Sequence, residues 1–398
     1  MDFTKNIKTY YIYSTFANLL ILGPIIVLFF IAKGLSFTQI MILNSIAAIS
    51  IVIFEVPTGA VADKYGRKVS LVLGALLWAV SLFMYIIGTR FFIFILAEII
   101  FSLGATLKSG ADTAMIYDSL KVMGKVKEFQ KIEGHAQSFA LYAQAIGSVI
   151  AGFIYEINIY LPLAISIGFM LITILITLNF KEPPIEEKKG KYGINYLDQI
   201  KESGRYILGH EKIKAIIFYS MIFFIFYRTG FWYFQPYMES VKIPVRYFGI
   251  IFFLFNITAA FTAKRVDKIM SITKPRTLTF MSLLLLVSFI LLATIKVWVG
   301  VFAILLQQMA RGLYRPVTRK YLNKHIPSDK RATILSFASM ATNIAFAIVS
   351  PFMGMLKDST DIFTTHLVLA ITMALMTYIT MKYMDKRLGI QHKVTGRV

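Results

Sequence analysis

Cysteine is absent from the 398 residues, which removes disulfides, thiol chemistry and Cys-ligated metal from consideration. Charge is scarce: 16% of residues are Asp, Glu, Lys or Arg, against about 25% in an ordinary soluble domain. Acid is scarcer still, with 21 Asp and Glu beside 42 Lys and Arg. What takes the place of charge is apolar: 57% of the chain is hydrophobic, mean hydropathy is +0.67, and 34 residues are Phe. That composition excludes disorder and a soluble enzyme. A net charge of +21 suggests nucleic acid in a soluble protein, but in a membrane protein it can serve to set orientation.

Apolar runs bounded by charges predict twelve membrane-spanning helices: 10–32, 38–58, 69–88, 91–111, 136–156, 162–180, 215–238, 247–263, 277–295, 297–314, 332–356 and 364–381. Twelve spans of roughly 20 residues need about 240 residues, close to the apolar content. These runs are continuous, unlike the alternating ten-residue strands of a β-barrel. The first follows Lys5 and Lys8 with no small-residue cleavage site, so a signal peptide is not expected. The termini and even-numbered loops hold 33 Lys and Arg, and the odd-numbered loops hold six: Lys33, Arg90, Lys242, Arg246, Lys296 and Lys357. That asymmetry predicts a multi-pass protein of the cell membrane with both termini cytoplasmic. It also accounts for the net charge without nucleic acid.

The longest polar stretch, Lys181 to Lys214, divides the chain into six spans over 1–180 and six over 215–398. Within this linker Tyr196, Leu197, Ile200 and Ile207 suggest a short amphipathic helix on the cytoplasmic surface. Ser138-Phe139-Ala140 recurs as Ser336-Phe337-Ala338, 198 residues on, and Asp63 has a counterpart in Asp267. The expected fold is all-α and membrane-integral, with twelve helices in two pseudo-symmetric six-helix bundles.

The second interspan loop reads Gly59-Ala-Val-Ala-Asp63-Lys-Tyr-Gly66-Arg67-Lys68. It resembles the signature loop of the major facilitator superfamily in every spacing and in its place between spans two and three. Gly59 permits close helix packing and Gly66 a tight turn. Asp63 can accept from a helix N-terminus, and Arg67 can fork onto a carboxylate. The resemblance implies two bundles rocking about a midplane site. It assigns the Asp63 loop to a cytoplasmic latch, with Glu55 and Asp112 as further members; Asp112 is expected to partner Arg67.

Two further comparisons with that family are partial. Ala143-Gln-Ala-Ile-Gly147-Ser148-Val-Ile-Ala151-Gly152 in span five is similar to the span-five motif of drug–proton antiporters, with serine in place of proline. Gly147 and Gly152 are equally expected in a small-residue packing face. In span four Ile100 stands where that group carries arginine, with the acid Glu98 nearby. The run from Ser109 to Leu120 resembles a segment of bacterial members of the superfamily.

A charge at the bilayer centre costs about 2.5–3.5 kcal/mol on insertion scales, so intramembrane charges are functional candidates. Arg228 is the deepest, with Trp232, Gln235 and Glu239 on the same face of an aromatic span seven. Glu98, Ser102, Ala105, Ser109 and Asp112 form one stripe of span four, and Lys108 is expected to snorkel. Span ten offers Gln307 and Arg311, and span one Tyr11, Ser14 and Asn18. Arg228 and Arg311 against Glu98 suit an anionic group or proton coupling, and aromatic walls suit a flat or lipophilic molecule. The five histidines are scattered, so neither a metal nor a cofactor is expected, and no catalytic set is evident. The expectation is a secondary transporter acting as a monomer, coupled to protons or another ion. Efflux of a small organic molecule is favoured over uptake of an organic anion or zwitterion.

Overall fold

The computed structural model describes residues 3–19, 21–184, 194–274, 276–327 and 330–388, and every regular element among them is helical. In chain order the helices are α1 (Thr4–Phe16), α2 (Ile26–Ala32), α3 (Phe37–Tyr65), α4 (Arg67–Ile87), α5 (Phe91–Lys108), α6 (Ala111–Val122), α7 (Phe129–Ile157) and α8 (Leu161–Leu178). There follow α9 (Ile194–Gly209), α10 (Glu211–Ser240), α11 (Phe248–Lys264), α12 (Val266–Thr273), α13 (Thr277–Thr294), α14 (Ile304–Asn323), α15 (Arg331–Ser359) and α16 (Ile362–Leu388). Among the described residues, ten helices are long and apolar enough to cross a membrane. Their outward faces carry exposed Phe83, Phe92, Ile157, Leu175, Phe352 and Tyr378, which a bilayer covers at no cost.

Three expected spans take a different form. Span one is not one helix: α1 ends at Phe16, α2 begins at Ile26, and the described residues between them are mostly turns. Pro24 lies in this segment and has no N–H to donate, which suits it to the non-helical stretch. Span four does not end at 111: it continues to Val122, interrupted at Ser109-Gly110, where Gly110 takes a left-handed φ of 79°. Span ten opens as a 3-10 segment, Trp298–Ala303, and α14 continues it to Asn323. The polar content of α14 (Gln307, Gln308, Arg311, Arg315, Arg319) keeps it outside the ten most apolar helices.

The linker contains α9, with Ser203 and Ile207 buried and Lys201, Glu202, Arg205 and Leu208 exposed, an amphipathic division. Residues 185–193 of the linker, and the side chains of Tyr196, Leu197 and Ile200, lie outside the described residues.

The chain separates into two compact units. Unit 1 comprises Met1–Leu35, Ile46–Asn195 and Val245–Phe252, and unit 2 comprises Ser36–Ser45, Tyr196–Pro244 and Phe253–Val398. The division falls near the predicted linker, but each unit also takes the opening turns of one helix from the other part of the sequence.

Unit 1 is built on α4, which packs along both α5 and α8. A methyl group on Gly74 would lie 2.9 Å from the Gly104 carbonyl, and one on Gly104 would lie 2.8 Å from that of Gly74, so α4 and α5 cross backbone to backbone. Trp78 Nε1 donates to Phe101 O at 2.9 Å and Ser81 Oγ to Ala97 O at 2.8 Å, satisfying the indole and hydroxyl inside an apolar medium. In unit 2, α13 packs with α16 and α14, and Ser288 Oγ donates to Ala303 O at 2.7 Å. The Ser81 and Ser288 contacts are counterparts in the two parts of the chain. Helices α7 and α15 are both 29 residues long and start 202 residues apart. The Ser-Phe-Ala match at 198 residues therefore lies about one helical turn out of register.

Candidate functional site

In unit 1 the interruption of span one sets the local geometry. The end of α1 presents carbonyls, and Lys108 from the end of α5 reaches it: Nζ lies 3.4 Å from Ala17 O, 5.1 Å from the Trp78 ring centroid and 6.0 Å from that of Tyr13. The ammonium is thus held over two aromatic faces at a helix C-terminus, both favourable for a cation. This replaces the expected snorkelling. Asp112 lies beyond the Ser109-Gly110 interruption, in the first turn of α6, and accepts from the Thr113 N–H at 2.7 Å. Also in this unit, Tyr10 Oη donates to Glu133 Oε2 at 2.5 Å. Asn18 donates to Ser14 O at 2.7 Å at the end of α1.

Glu98, half-buried on α5, accepts a hydrogen bond from Tyr85 Oη of α4. Sequence reading gives Tyr85 no role, since nothing distinguishes it among 21 tyrosines. Ser102, on the same stripe as Glu98, is buried with its hydroxyl lacking a partner among the described residues.

In unit 2 the guanidinium of Arg228 lies 5.9 and 6.0 Å from the ring centroids of Phe231 and Trp232, one turn along α10. Arg311 Nη1 donates to Asn256 Oδ1 at 3.1 Å and Gln308 Oε1 at 3.3 Å. Both arginines are half-buried. Gln307 is fully buried, with Nε2 donating to Ser288 Oγ at 3.0 Å and Oε1 against Gly230 of α10, which has no side chain to exclude it. Gln235 is likewise buried. Of the aromatic residues expected along span seven, Tyr219, Phe223, Tyr233 and Phe234 are buried core; Phe224, Tyr227 and Phe231 are partly open, as are Arg228 and Trp232. Tyr314 of α14 stacks on Phe223 at 5.2 Å and shares a hydrogen bond with Ser220 at 2.8 Å.

The Gly59–Lys68 segment spans the end of α3 and the start of α4. Gly66, with φ of 99°, makes the turn, and Glu182 caps α4 by accepting from the backbone N–H groups of Arg67 and Lys68, both at 2.8 Å. Lys68 Nζ reaches Leu178 O at 2.6 Å. The carboxylate that meets Arg67 is Asp118, at 2.8 Å, with Asp63 more distant at 4.0 Å. The expected partner, Asp112, stands six residues earlier on α6, nearly two turns away and on the side of Lys108. A span four that ends at 111 hides Asp118 from sequence reading. Glu55 is exposed, and a methyl group on Gly59 would meet nothing within 4 Å. Gly152 packs against the Val245 carbonyl, whereas Gly147 faces Ile21 and Leu19 at ordinary contact distance.

The sequence pattern of the Major Facilitator Superfamily matches residues 12–295 and 217–393. The chain belongs to this superfamily. It is 27% identical over 361 residues to the MFS-type transporter YxaM of Bacillus subtilis (strain 168), covering 84% of this chain and 86% of that protein. It is 25% identical over 166 residues to the quinolone resistance protein NorA of Staphylococcus aureus (strain MRSA252), covering 42% of this chain and 43% of NorA. Among solved structures, the nucleoside transporter NupG superposes with a TM-score of 0.77 at 17% identity, over 95% of this chain and 98% of that one. A D-xylose–proton symporter superposes with a TM-score of 0.72 at 16% identity, over 96% and 99% of the two chains. The protein is therefore a multi-pass membrane transport protein of the cell membrane, not an enzyme.

Proposed function

We propose that the chain crosses the membrane twelve times with both termini cytoplasmic, and exports a small organic molecule in exchange for protons by alternating access. Ten apolar helices, the interrupted span one and the polar span ten make up the twelve crossings. Glu98 carries the proposal: it is a half-buried carboxylate within a span, hydrogen-bonded to Tyr85, and so a group whose charge can change during the cycle. The NorA relationship and the small-residue face of span five favour export. Arg228 and Arg311 support a second reading, proton-coupled uptake of an organic anion or zwitterion. In both readings one chain contains the whole pathway and acts as a monomer.

The test is proton flux in liposomes under an imposed pH gradient, with a panel of lipophilic cations and organic anions. Substrate-triggered proton movement that disappears in Glu98→Gln supports coupling through this acid. Proton movement undiminished in that variant overturns the assignment. Accumulation of a carboxylate compound, abolished by Arg228→Ala, selects uptake over export.

A further inference from the structure

The α3–α4 junction that follows Asp63 turns on the single residue Gly66, whereas the α11–α13 junction that contains Asp267 runs over residues 265–276. One residue thus suffices to join two spans, and the longer junction needs another reason. It includes α12, none of whose residues is buried. Its neighbours α11 and α13 are both long and apolar enough to cross the membrane, so the short segment between their ends stays at the level of the membrane surface.

The segment has two sides. Val266, Ile269, Met270 and Thr273, at helical spacing, are half-buried where α12 packs on α13 and α14. Asp267, Lys268, Ser271 and Ile272 face outward, and Ile272 is 73% exposed. An isoleucine that open is unfavourable in water and is accommodated at the acyl boundary of a bilayer.

Around it stand Lys264, Arg265, Lys268, Lys274 and Arg276, all exposed and none in an ion pair among the described residues. The one acid of the segment, Asp267, is already neutralised by Lys320 of α14 at 3.0 Å. Arg265 marks the height of these charges. Its guanidinium lies 3.8 Å from the ring centroid of Phe261, one turn back on α11, and that ring is exposed on a spanning helix, a position that lipid covers. A cation seated over a lipid-facing ring stands where headgroup phosphates lie.

We propose that α12 and its flanks form a binding site for anionic phospholipid. Ile272 enters the acyl boundary, and Arg265, Lys268, Lys274 and Arg276 take headgroup phosphates at the level of the Arg265 guanidinium. A zwitterionic lipid offers the same acyl chains but balances its phosphate with its own ammonium. The site therefore selects a lipid whose headgroup keeps a net negative charge. All of these residues belong to unit 2.

The native chain has no cysteine, so Ser271→Cys, at an exposed position on the outer side of α12, carries one NBD fluorophore. The full chain is reconstituted in phosphatidylcholine vesicles, and quenching by doxyl-labelled phosphatidylglycerol is compared with quenching by doxyl-labelled phosphatidylcholine. Phosphatidylglycerol is expected to reach half-quenching at about one-fifth of the mole fraction or lower, with the preference shrinking in about 1 M salt. Arg265→Gln, Lys268→Gln, Lys274→Gln and Arg276→Gln combined in one chain abolish the preference. Asp267→Asn, which removes the acid and releases Lys320, strengthens it, a gain that a misfolded protein cannot mimic. Equal quenching by the two lipids, or quenching by neither, overturns the proposal. A preference unchanged in the quadruple variant places the lipid elsewhere and also overturns it. If that variant melts below its parent, Asp267→Asn alone decides, and an unchanged preference there overturns the site. Displacement of the quencher by millimolar glycerol 3-phosphate assigns the cations to a soluble phosphate compound and overturns the lipid.

Discussion

Arg67 of α4 and Asp118 of α6 form a 2.8 Å ion pair that ties the signature loop to the second part of span four. The arginine side chain is mostly buried, and its Nε and Nη1 have no partners among the described residues, so Asp118 supplies its principal compensation. Asp118→Asn leaves a buried cation undercompensated and is expected to destabilise the protein by about 1–3 kcal/mol. Asp63→Asn, at 4.0 Å and more exposed, is expected to cost less. Thermal unfolding of the two variants in the same detergent checks the order.

Two glycines on helices separate packing from motion. A methyl group on Gly312 would overlap the Ala259 carbonyl, a backbone atom that cannot yield, so Gly312→Ala is expected to cost about 1–3 kcal/mol. At Gly59 the same methyl group meets nothing, and alanine is the better helix former by about 1 kcal/mol. Gly59→Ala is therefore expected to leave the melting temperature unchanged or raised. Loss of transport in that folded variant would place the need for glycine in another conformation of the cycle.

Lys108→Met keeps the length and apolar stem of the side chain and removes only the ammonium. If the cation over Trp78 and Tyr13 serves transport, turnover is expected to fall by about tenfold, the worth of roughly 1.4 kcal/mol of interaction. A lysine seated there for packing alone predicts no such loss. Initial transport rates, normalised to folded protein in the membrane, decide between them.

Asp361 precedes α16 and accepts from the Thr364 hydroxyl at 2.5 Å and from the backbone N–H groups of Phe363 and Thr364. The Thr364 hydroxyl, first among these contacts, holds its carboxyl below the usual carboxylate range. A depressed folded-state pKa contributes stability that is fully present above the ordinary value near 4 and is lost as pH falls through the folded-state value. Asp361→Ala is thus expected to lower stability by about 0.5–2 kcal/mol at neutral pH, a typical cap loss. The difference from the native chain should shrink below about pH 4. Melting curves taken from pH 7 down to about pH 3 test the sign.

Much of the organisation was legible because the bilayer imposes it on composition. Continuous apolar runs locate most of the spans, and the complete glycine–aspartate–glycine-arginine-lysine spacing identifies the superfamily without any structure. The limits were equally physical. Apolar content does not register where a helix stops, so span one reads as continuous although α1 ends at Phe16 and α2 begins only at Ile26, and span four reads as ending at 111 although it resumes after Gly110. Asp118 and Tyr85 escape a sequence reading because their roles depend on which helix faces them.

The sequence by itself determined the solvent of each helix, the family and the charge asymmetry, since these follow from residue type and order alone. Tertiary structure alone decided the partners: Asp118 rather than Asp112 for Arg67, Tyr85 for Glu98, and an aromatic and carbonyl seat for Lys108. A buried polar group must find its partner within about 3 Å, and that distance is set by how helices pack, which no local pattern encodes.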